Sequence, residues 1–346
     1  MSSKALAVAM LAGSILVSAQ TSSGPADAKA QKTYAEAEQA LHAHRYFDAL
    51  DKFKKANKQD KDQCVECLKQ VVSLATSMGD FKAADSASRE LIAMAKDPQD
   101  VKDAHYQRGR LLLQEGVDKK KSDVLAESDT EFKAVLAVDA KDARALFSDG
   151  LALARLNQDA AAQADFKQFA DIARPGSVDR TRALRFAERP ELARERMAPA
   201  FALTAEDGRR ISMDDLHGKV VLLDFWATWC GPCREALPHM KRIAQKFKGE
   251  PLVILSVSLD SDDQKWKNFI TQNEMTWAQY RDGNFDGPMA KLFGVRAIPH
   301  TFTIDADGVL QDEKIGDASI EGKLKKLIAQ AQQLQEARAE QRASAK

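Results

Sequence analysis

The residues best suited to chemistry are two thiols, Cys230 and Cys233, which are separated by Gly231 and Pro232. The pair lies where an apolar run over residues 220–226 gives way to a segment of helical periodicity. A thiol at a helix N-terminus feels the partial positive charge of unpaired backbone N–H groups, which lowers its pKa and stabilises the nucleophilic thiolate. We therefore expect Cys230 to attack disulfide bonds.

The residues around the thiols predict how the reaction is completed. Glycine and proline at early helical positions let the chain turn so that the sulfur of Cys233 approaches that of Cys230 and displaces a bound product. Asp224 lies six positions before Cys230 in an apolar run. We expect this carboxyl to be buried with a raised pKa, which suits it to move the proton of Cys233. A strand-end aspartate that faces solvent is the alternative.

A longer motif carries a family resemblance. The run Asp224-Phe225-Trp226-Ala227-Thr228-Trp229-Cys230-Gly231-Pro232-Cys233, followed downstream by Ala297-Ile298-Pro299, resembles the thioredoxin superfamily. The layout of residues 199–330 is similar to its exported TlpA and ResA branch. The resemblance implies an α/β thioredoxin-like fold, a mixed sheet with flanking helices, and a site in which Trp229, Gly231 and Pro232 accompany the catalytic residues. It also implies that Pro299 is a cis proline facing the cysteines, where the backbone of Ile298 receives an extended substrate segment.

Two residues depart from the pattern of that branch. Ala236 stands where members often carry a glutamate, and Glu235 lies one residue too early to replace it. The acid-base role therefore falls to Asp224. His300 follows Pro299 at a position where threonine is common; it either tunes substrate contacts or is an ordinary exposed histidine.

Other functions fit parts of this pattern. A structural zinc site would need two more ligands nearby, but the other cysteine pair, Cys64 and Cys67, lies in the other half of the chain. A thiol-dependent peroxidase would need a proline and a threonine where Leu223 and Ala227 stand. A scaffold whose helical repeats are the function, with an accessory thioredoxin-like module, is the alternative from a different class. No motif indicates a cofactor or a metal.

Residues 30–173 are predicted to form an all-helical domain, since they are rich in helix-favouring residues and poor in proline and glycine. Small and aromatic residues recur there, and the pattern resembles tetratricopeptide repeats; a non-repetitive bundle is the alternative. Residues 118–129 are expected to form a solvated insertion, because a lysine run interrupts the repeat. The recurring residues are Tyr46, Ala49, Phe53 and Ala56, then Gly79, Asp80, Phe81 and Ala84, then Gly150, Leu153, Phe166 and Phe169.

The second pair, Cys64 and Cys67, lies near the start of a helix. Leu68 follows it, which excludes covalent haem attachment. We expect a disulfide that either staples the turn or exchanges electrons with the C-terminal site. Buried reduced thiols remain open, whereas a zinc site with His42 and His44 is disfavoured because two-apart residues face different sides of a helix.

The boundary between the domains is predicted at residues 174–198, a charged linker that starts with a Pro-Gly-Ser break. The thioredoxin-like domain is expected over 199–330, followed by a helical or disordered tail over 331–346. Its predicted elements are a hairpin around Asp207-Gly208, a strand-helix-strand unit over 220–259, a helix over 263–271, strands over 301–304 and 309–315, and a closing helix over 320–334.

The N-terminus and the composition bear on location and partners. Lys4, an apolar run and small residues before position 20 predict a cleaved export signal over 1–19, and hence a bacterial periplasmic protein. An uncleaved membrane anchor is disfavoured because the run is too short to span a bilayer. The 51 basic and 51 acidic residues cancel, which argues against nucleic acid as a partner. Expected partners are disulfide-containing proteins and a redox partner protein, with the helical repeats making protein contacts.

Overall fold

The structure, a computed structural model, describes residues 24–213, 215–316 and 320–344. The described residues form two compact units that divide between Arg194 and Glu195. The export signal expected over residues 1–19 lies outside the described residues. Within the described ranges, no helix combines the length and the apolar character needed to cross a bilayer.

The first unit is all helical, as predicted, and successive helices pack against each other in pairs. Aspartate side chains cap four of its helices by accepting hydrogen bonds from backbone N–H groups of the first turn. The helices are α1 (Ala28–His42), α2 (Tyr46–Gln59), α3 (Val65–Met78), α4 (Phe81–Met94), α5 (Pro98–Lys119), α6 (Ser122–Val138), α7 (Ala143–Arg155), α8 (Asp159–Ile172), α9 (Val178–Glu188) and a short 3-10 helix, Pro190–Arg194.

Two of these helix pairs bring a glycine against a phenylalanine ring. A Cβ atom at Gly109 of α5 would lie 2.7 Å from the ring of Phe132 on α6, and one at Gly150 of α7 would lie 2.7 Å from the ring of Phe166 on α8. Both rings are fully buried. The absence of a side chain lets the helices approach closely, which is the packing expected of paired helical repeats.

We expect Gly150→Ala to lower the free energy of unfolding by about 1–3 kcal/mol, because the added methyl group overlaps the Phe166 ring in a close-packed interior. The matched control is Gly322→Ala, in a helix of the second unit where nothing lies within 4 Å of the added atom. The control should be neutral or slightly stabilising. Urea unfolding monitored by circular dichroism measures both, and equal effects at the two sites would contradict this packing.

The structure differs from the expected insertion over residues 118–129. Helix α5 runs through Lys119 and α6 begins at Ser122, so only a tight turn separates them. The lysines favour helix, and Leu125 is buried against Gly116. The charge run is therefore the solvent-facing part of a helix pair.

The residues expected to form a linker, 174–198, also differ from the expectation. They contain α9 and the 3-10 helix, and Phe186 of α9 is buried with its ring centroid 5.2 Å from that of Phe166. Ala183, Phe186 and Ala187 form an apolar stripe at helical spacing. Charged residues on either side of this stripe hide it in the sequence.

The second unit is an α/β structure with a mixed sheet, as predicted. A separate hairpin pairs β1 (Ala202–Thr204) with β2 (Arg210–Ser212). The five-stranded sheet has the order β5-β4-β3-β6-β7. Strands β3, β4 and β5 are parallel to each other, and β6 runs antiparallel to both of its neighbours, β3 and β7. Its strands are β3 (Val220–Trp226), β4 (Leu252–Ser258), β5 (Ala278–Arg281), β6 (His300–Ile304) and β7 (Leu310–Ile315), and its helices are α10 (Gly231–Lys246), α11 (Asp263–Gln272), α12 (Pro288–Phe293) and α13 (Glu321–Ser344).

The central strand β3 is buried on both faces, which explains its continuous apolar run. Val221, Leu223 and Phe225 belong to one apolar cluster with residues of α11 and α12. Val220 and Leu222 belong to another, with residues of α10 and α13. Side chains alternate between the two faces along a strand, so Asp224 lies on the same face as Val220 and Leu222. Residues of α10 and α13 cover this face.

The edges of the sheet are β5 and β7. A short piece of backbone at Arg196 and Met197 lies beside the start of β7. It is held there by an isolated bridge between Met197 and Val309 and by a hydrogen bond from Leu310 N to Arg196 O. Strand β5 and helix α12 were not predicted, and α13 continues through Ser344. The tail residues up to that point are therefore helical.

Candidate active site

Cys230 and Cys233 lie at the start of α10 and form a disulfide with an S–S distance of 2.07 Å. Cys230 is the N-cap residue, and its Sγ accepts a hydrogen bond of 3.2 Å from the backbone N of Cys233. Both cysteines are 6% exposed. Negative charge on Cys230 would therefore be stabilised by an N–H donor and by the positive end of the helix dipole.

The rim around the disulfide is accessible. Trp229 is 60% exposed, and Gly231 and Pro232 are exposed in the first turn of α10. Nothing lies within 4 Å of where a Cβ at Gly231 would be. Because the sulfurs themselves are mostly covered, a substrate would approach across these three residues.

Asp224 lies on β3, where it pairs with Ser256 of β4. It is 8% exposed, and the Ser256 hydroxyl donates a 3.1 Å hydrogen bond to its Oδ2. Burial raises the pKa of Asp224 to about 6, and the Ser256 hydrogen bond acts in the opposite direction. The carboxyl is therefore buried with a raised pKa, as the sequence predicted.

The Ile298–Pro299 peptide bond is cis, as the family resemblance implied. Pro299 is buried just before β6, and its carbonyl accepts a 2.9 Å hydrogen bond from Gly316 N. Ile298 is half-buried and packs against the apolar cluster that contains Cys230 and Cys233. The structure thus brings Ile298 to the same cluster as the disulfide.

Comparison with known proteins places this arrangement in a family. The AhpC/TSA family model matches residues 195–313. The thiol-disulfide oxidoreductase ResA of Bacillus anthracis is 33% identical over 145 residues, which cover 41% of this chain and 83% of that protein. The chain belongs to the ResA family of thiol-disulfide oxidoreductases. The thioredoxin-like protein YneN of Bacillus subtilis is 35% identical over 122 residues, which cover 34% of this chain and 69% of that protein.

A solved structure is also similar. A thiol-disulfide oxidoreductase from Bacteroides fragilis shares 29% identity, with a TM-score of 0.36, and the alignment covers 38% of this chain and 99% of that one.

His300 of this ResA-family unit is buried. The interpretation of His300 as an ordinary exposed histidine was therefore wrong. His300 is 2% exposed, its ring stacks on Phe302 with centroids 4.5 Å apart, and its Nε2 lies 3.2 Å from Oε1 of Glu313. Burial lowers the pKa of His300, and the Glu313 carboxylate partly opposes this. His300 therefore supports the Pro299 segment from within the fold.

A further carboxylate, which the sequence did not reveal, holds the loop before the thiols. Asp260, at the end of β4, is 3% exposed. Its Oδ2 accepts from Thr228 N at 2.9 Å, and its Oδ1 accepts from Thr228 Oγ1 at 2.6 Å. The Ser258 hydroxyl adds a 2.7 Å bond to Oδ2. The available signal was an aspartate directly after an apolar strand, but a run of polar residues follows and reads as an ordinary loop.

We expect Thr228→Val to lower the free energy of unfolding by about 1–3 kcal/mol, because it leaves a buried carboxylate oxygen of Asp260 without its hydroxyl donor. Thr271→Val is the matched control, since the Thr271 hydroxyl donates only to a backbone carbonyl on the exposed side of α11. Urea unfolding of the oxidised protein measures both. A Thr228 variant as stable as the control would show that Asp260 does not hold the loop.

The second pair, Cys64 and Cys67, forms the disulfide that was expected, with an S–S distance of 2.05 Å. Cys64 is the N-cap of α3, and its Sγ accepts a 3.1 Å hydrogen bond from Cys67 N. Asn57 Oδ1 accepts from Cys64 N, also at 3.1 Å. The two cysteines are 2% and 0% exposed and pack against Tyr34. This burial favours a staple of the turn over exchange with another protein.

Proposed function

We propose that this chain reduces disulfide bonds of exported proteins, or of a redox partner protein, through Cys230 and Cys233. The observation that carries the proposal is the position of Cys230 as N-cap of α10, with its sulfur accepting from Cys233 N. This geometry favours a Cys230 thiolate, the form that attacks disulfides. The ResA-family relationship supports the same chemistry.

The cycle starts with the reduced pair. The Cys230 thiolate attacks one sulfur of the substrate disulfide, and the other substrate sulfur leaves as a thiolate that takes a proton from water. Cys233 then gives its proton to Asp224 and attacks Cys230 Sγ, which releases the second substrate thiolate. Two electrons pass to the substrate, and the enzyme is left with the Cys230–Cys233 disulfide.

Binding of the substrate falls to the accessible surface around the thiols. The backbone of Ile298, beside Pro299, would pair with an extended substrate segment, and Trp229 would cover it. The helical unit would choose the partner, since paired helical repeats present a continuous surface for proteins. The signal over residues 1–19 would direct the chain to the bacterial periplasm, where substrate disulfides form.

The reduction potential of the mature chain tests the direction of the reaction. Cys64 and Cys67 are replaced by alanine, the protein is equilibrated with glutathione or dithiothreitol, and the free thiols are quantified. A potential near that of thioredoxin, about −270 mV, is expected for a reductase. A value near about −120 mV would overturn the proposal, because such a pair introduces disulfides instead.

A further inference from the structure

Asp224 stands at the end of a hydrogen-bonded chain of three side chains. Trp277 Nε1 donates to Ser256 Oγ at 2.8 Å, and Ser256 Oγ donates to Asp224 Oδ2 at 3.1 Å. Ser256 is completely buried, and Trp277 is half-buried just before β5. The chain therefore crosses from the sheet edge to the central strand.

The direction of these bonds follows from the chemistry of the groups. An indole N–H is only a donor, so Ser256 Oγ must accept from Trp277. A hydroxyl has one hydrogen, and the accepted bond leaves that hydrogen for the second partner. The hydrogen consequently points at Asp224, where it favours the charged carboxylate over the neutral acid.

We propose that Trp277 orients the hydroxyl hydrogen of Ser256 toward the Asp224 carboxyl and thereby sets the pH at which Asp224 accepts the proton of Cys233. The inference rests on the proposed role of Asp224 in the second step of disulfide reduction. Both residues are positioning residues, because they act on the reaction only through the carboxyl group.

The residues packed around Asp224 show why the Ser256 hydroxyl has a large effect on the pKa of this carboxyl. Its neighbours in register on β4 and β6 are Ser256 and Thr301, which do not titrate in this range. Helix α10, which carries Cys230 and Cys233 at its start, and helix α13 cover this face with apolar residues. Lys314 is the charged residue in the same row, and its backbone lies two strands away, at about 10 Å by the spacing of strands. Among the described residues, the Ser256 hydrogen bond is what opposes the effect of burial on Asp224.

The test is a pH titration of the Asp224 carboxyl carbon by ¹³C NMR in the oxidised full-length chain. We expect Ser256→Ala to raise the Asp224 pKa by about one to two units, a tenfold to hundredfold change in its ionisation constant. Trp277→Phe keeps an aromatic ring and removes the N–H. It should raise the pKa in the same direction but by less, since the hydroxyl remains and is free to rotate.

Two further variants separate this chain from a packing effect. Trp266→Phe removes another buried indole N–H, one with no hydrogen-bond partner among the described residues, and should leave the Asp224 pKa unchanged. In a Ser256→Ala background, Trp277→Phe should produce no further shift, because Trp277 acts through the hydroxyl. A second shift as large as in the single variant would overturn the inference.

Kinetics distinguish this inference from the proposed function. With oxidised glutathione as the probe, the pH profile of the resolving step should move upward in Ser256→Ala and, less, in Trp277→Phe. A wild-type chain that reduces no disulfide would refute the proposed function and leave the NMR titration standing. A fully active wild type with the same Asp224 pKa in both variants would refute the inference alone.

Discussion

Cys233→Ser is expected to stop turnover and to leave Cys230 joined to its substrate through a disulfide. The attacking thiol and its N-cap environment remain, but the second thiol that would release the product is absent. Non-reducing electrophoresis of extracts from cells that produce the variant, followed by mass spectrometry of the reducible adducts, measures the trapped species. The pattern of adducts would also name the substrates.

Two variants make this experiment specific. Cys230→Ser removes the attacking thiol and should trap nothing. Cys67→Ser breaks the other Cys-x-x-Cys pair, which is buried in the helical unit, and should leave turnover intact. A Cys233→Ser protein that traps no partner would instead favour a scaffold whose thioredoxin-like unit only binds.

Asp224→Asn is expected to increase the free energy of unfolding at pH 7 by up to about 3 kcal/mol while slowing the release of substrate. The folded-state pKa of about 6 lies above the ordinary value of 3.8, so the folded protein binds more protons than the unfolded chain between these values. The stability of the wild type therefore falls as pH rises through this window. Asparagine removes that cost, but it cannot accept the proton of Cys233.

Urea unfolding from pH 3 to pH 8 measures this effect. The two proteins should be equally sensitive to urea below about pH 4, should diverge up to about pH 6 and should then keep a constant difference. Asp286→Asn, at a side chain that is 85% exposed, is the control and should follow the wild type throughout. A constant difference at every pH would show that the substitution acts through packing and not through ionisation.

The candidate active site could be predicted because its signals are local. A continuous apolar run fixes β3, and a helix start with glycine and proline fixes the turn that holds Cys230 and Cys233. Asp224 was found because a carboxylate within an apolar run is unusual and must be buried. These features depend on residues within about one strand and one helix of each other.

The missed features depend on contacts between distant segments. Strand β5 is short and contains Gln279 and Arg281, so only its pairing with β4 makes it a strand. Ser256 and Asp260 acquire their roles from the register of β4 beside β3, which the local pattern of β4 does not contain. His300 is buried because Phe302 and Glu313, from β6 and the neighbouring strand, surround it. Sequence periodicity carries no information on any of these pairings.

The edge of the sheet at β7 bears on how such a protein avoids aggregation. An open strand edge is a template on which another extended chain can add. Here the backbone at Met197 covers the start of β7, and Arg196 pairs with Glu313 further along. Asp312 and Lys314 place alternating charges on the rest of the strand. Another extended chain or a second copy would have to bury these charges to extend the sheet, so the edge resists amyloid-like growth.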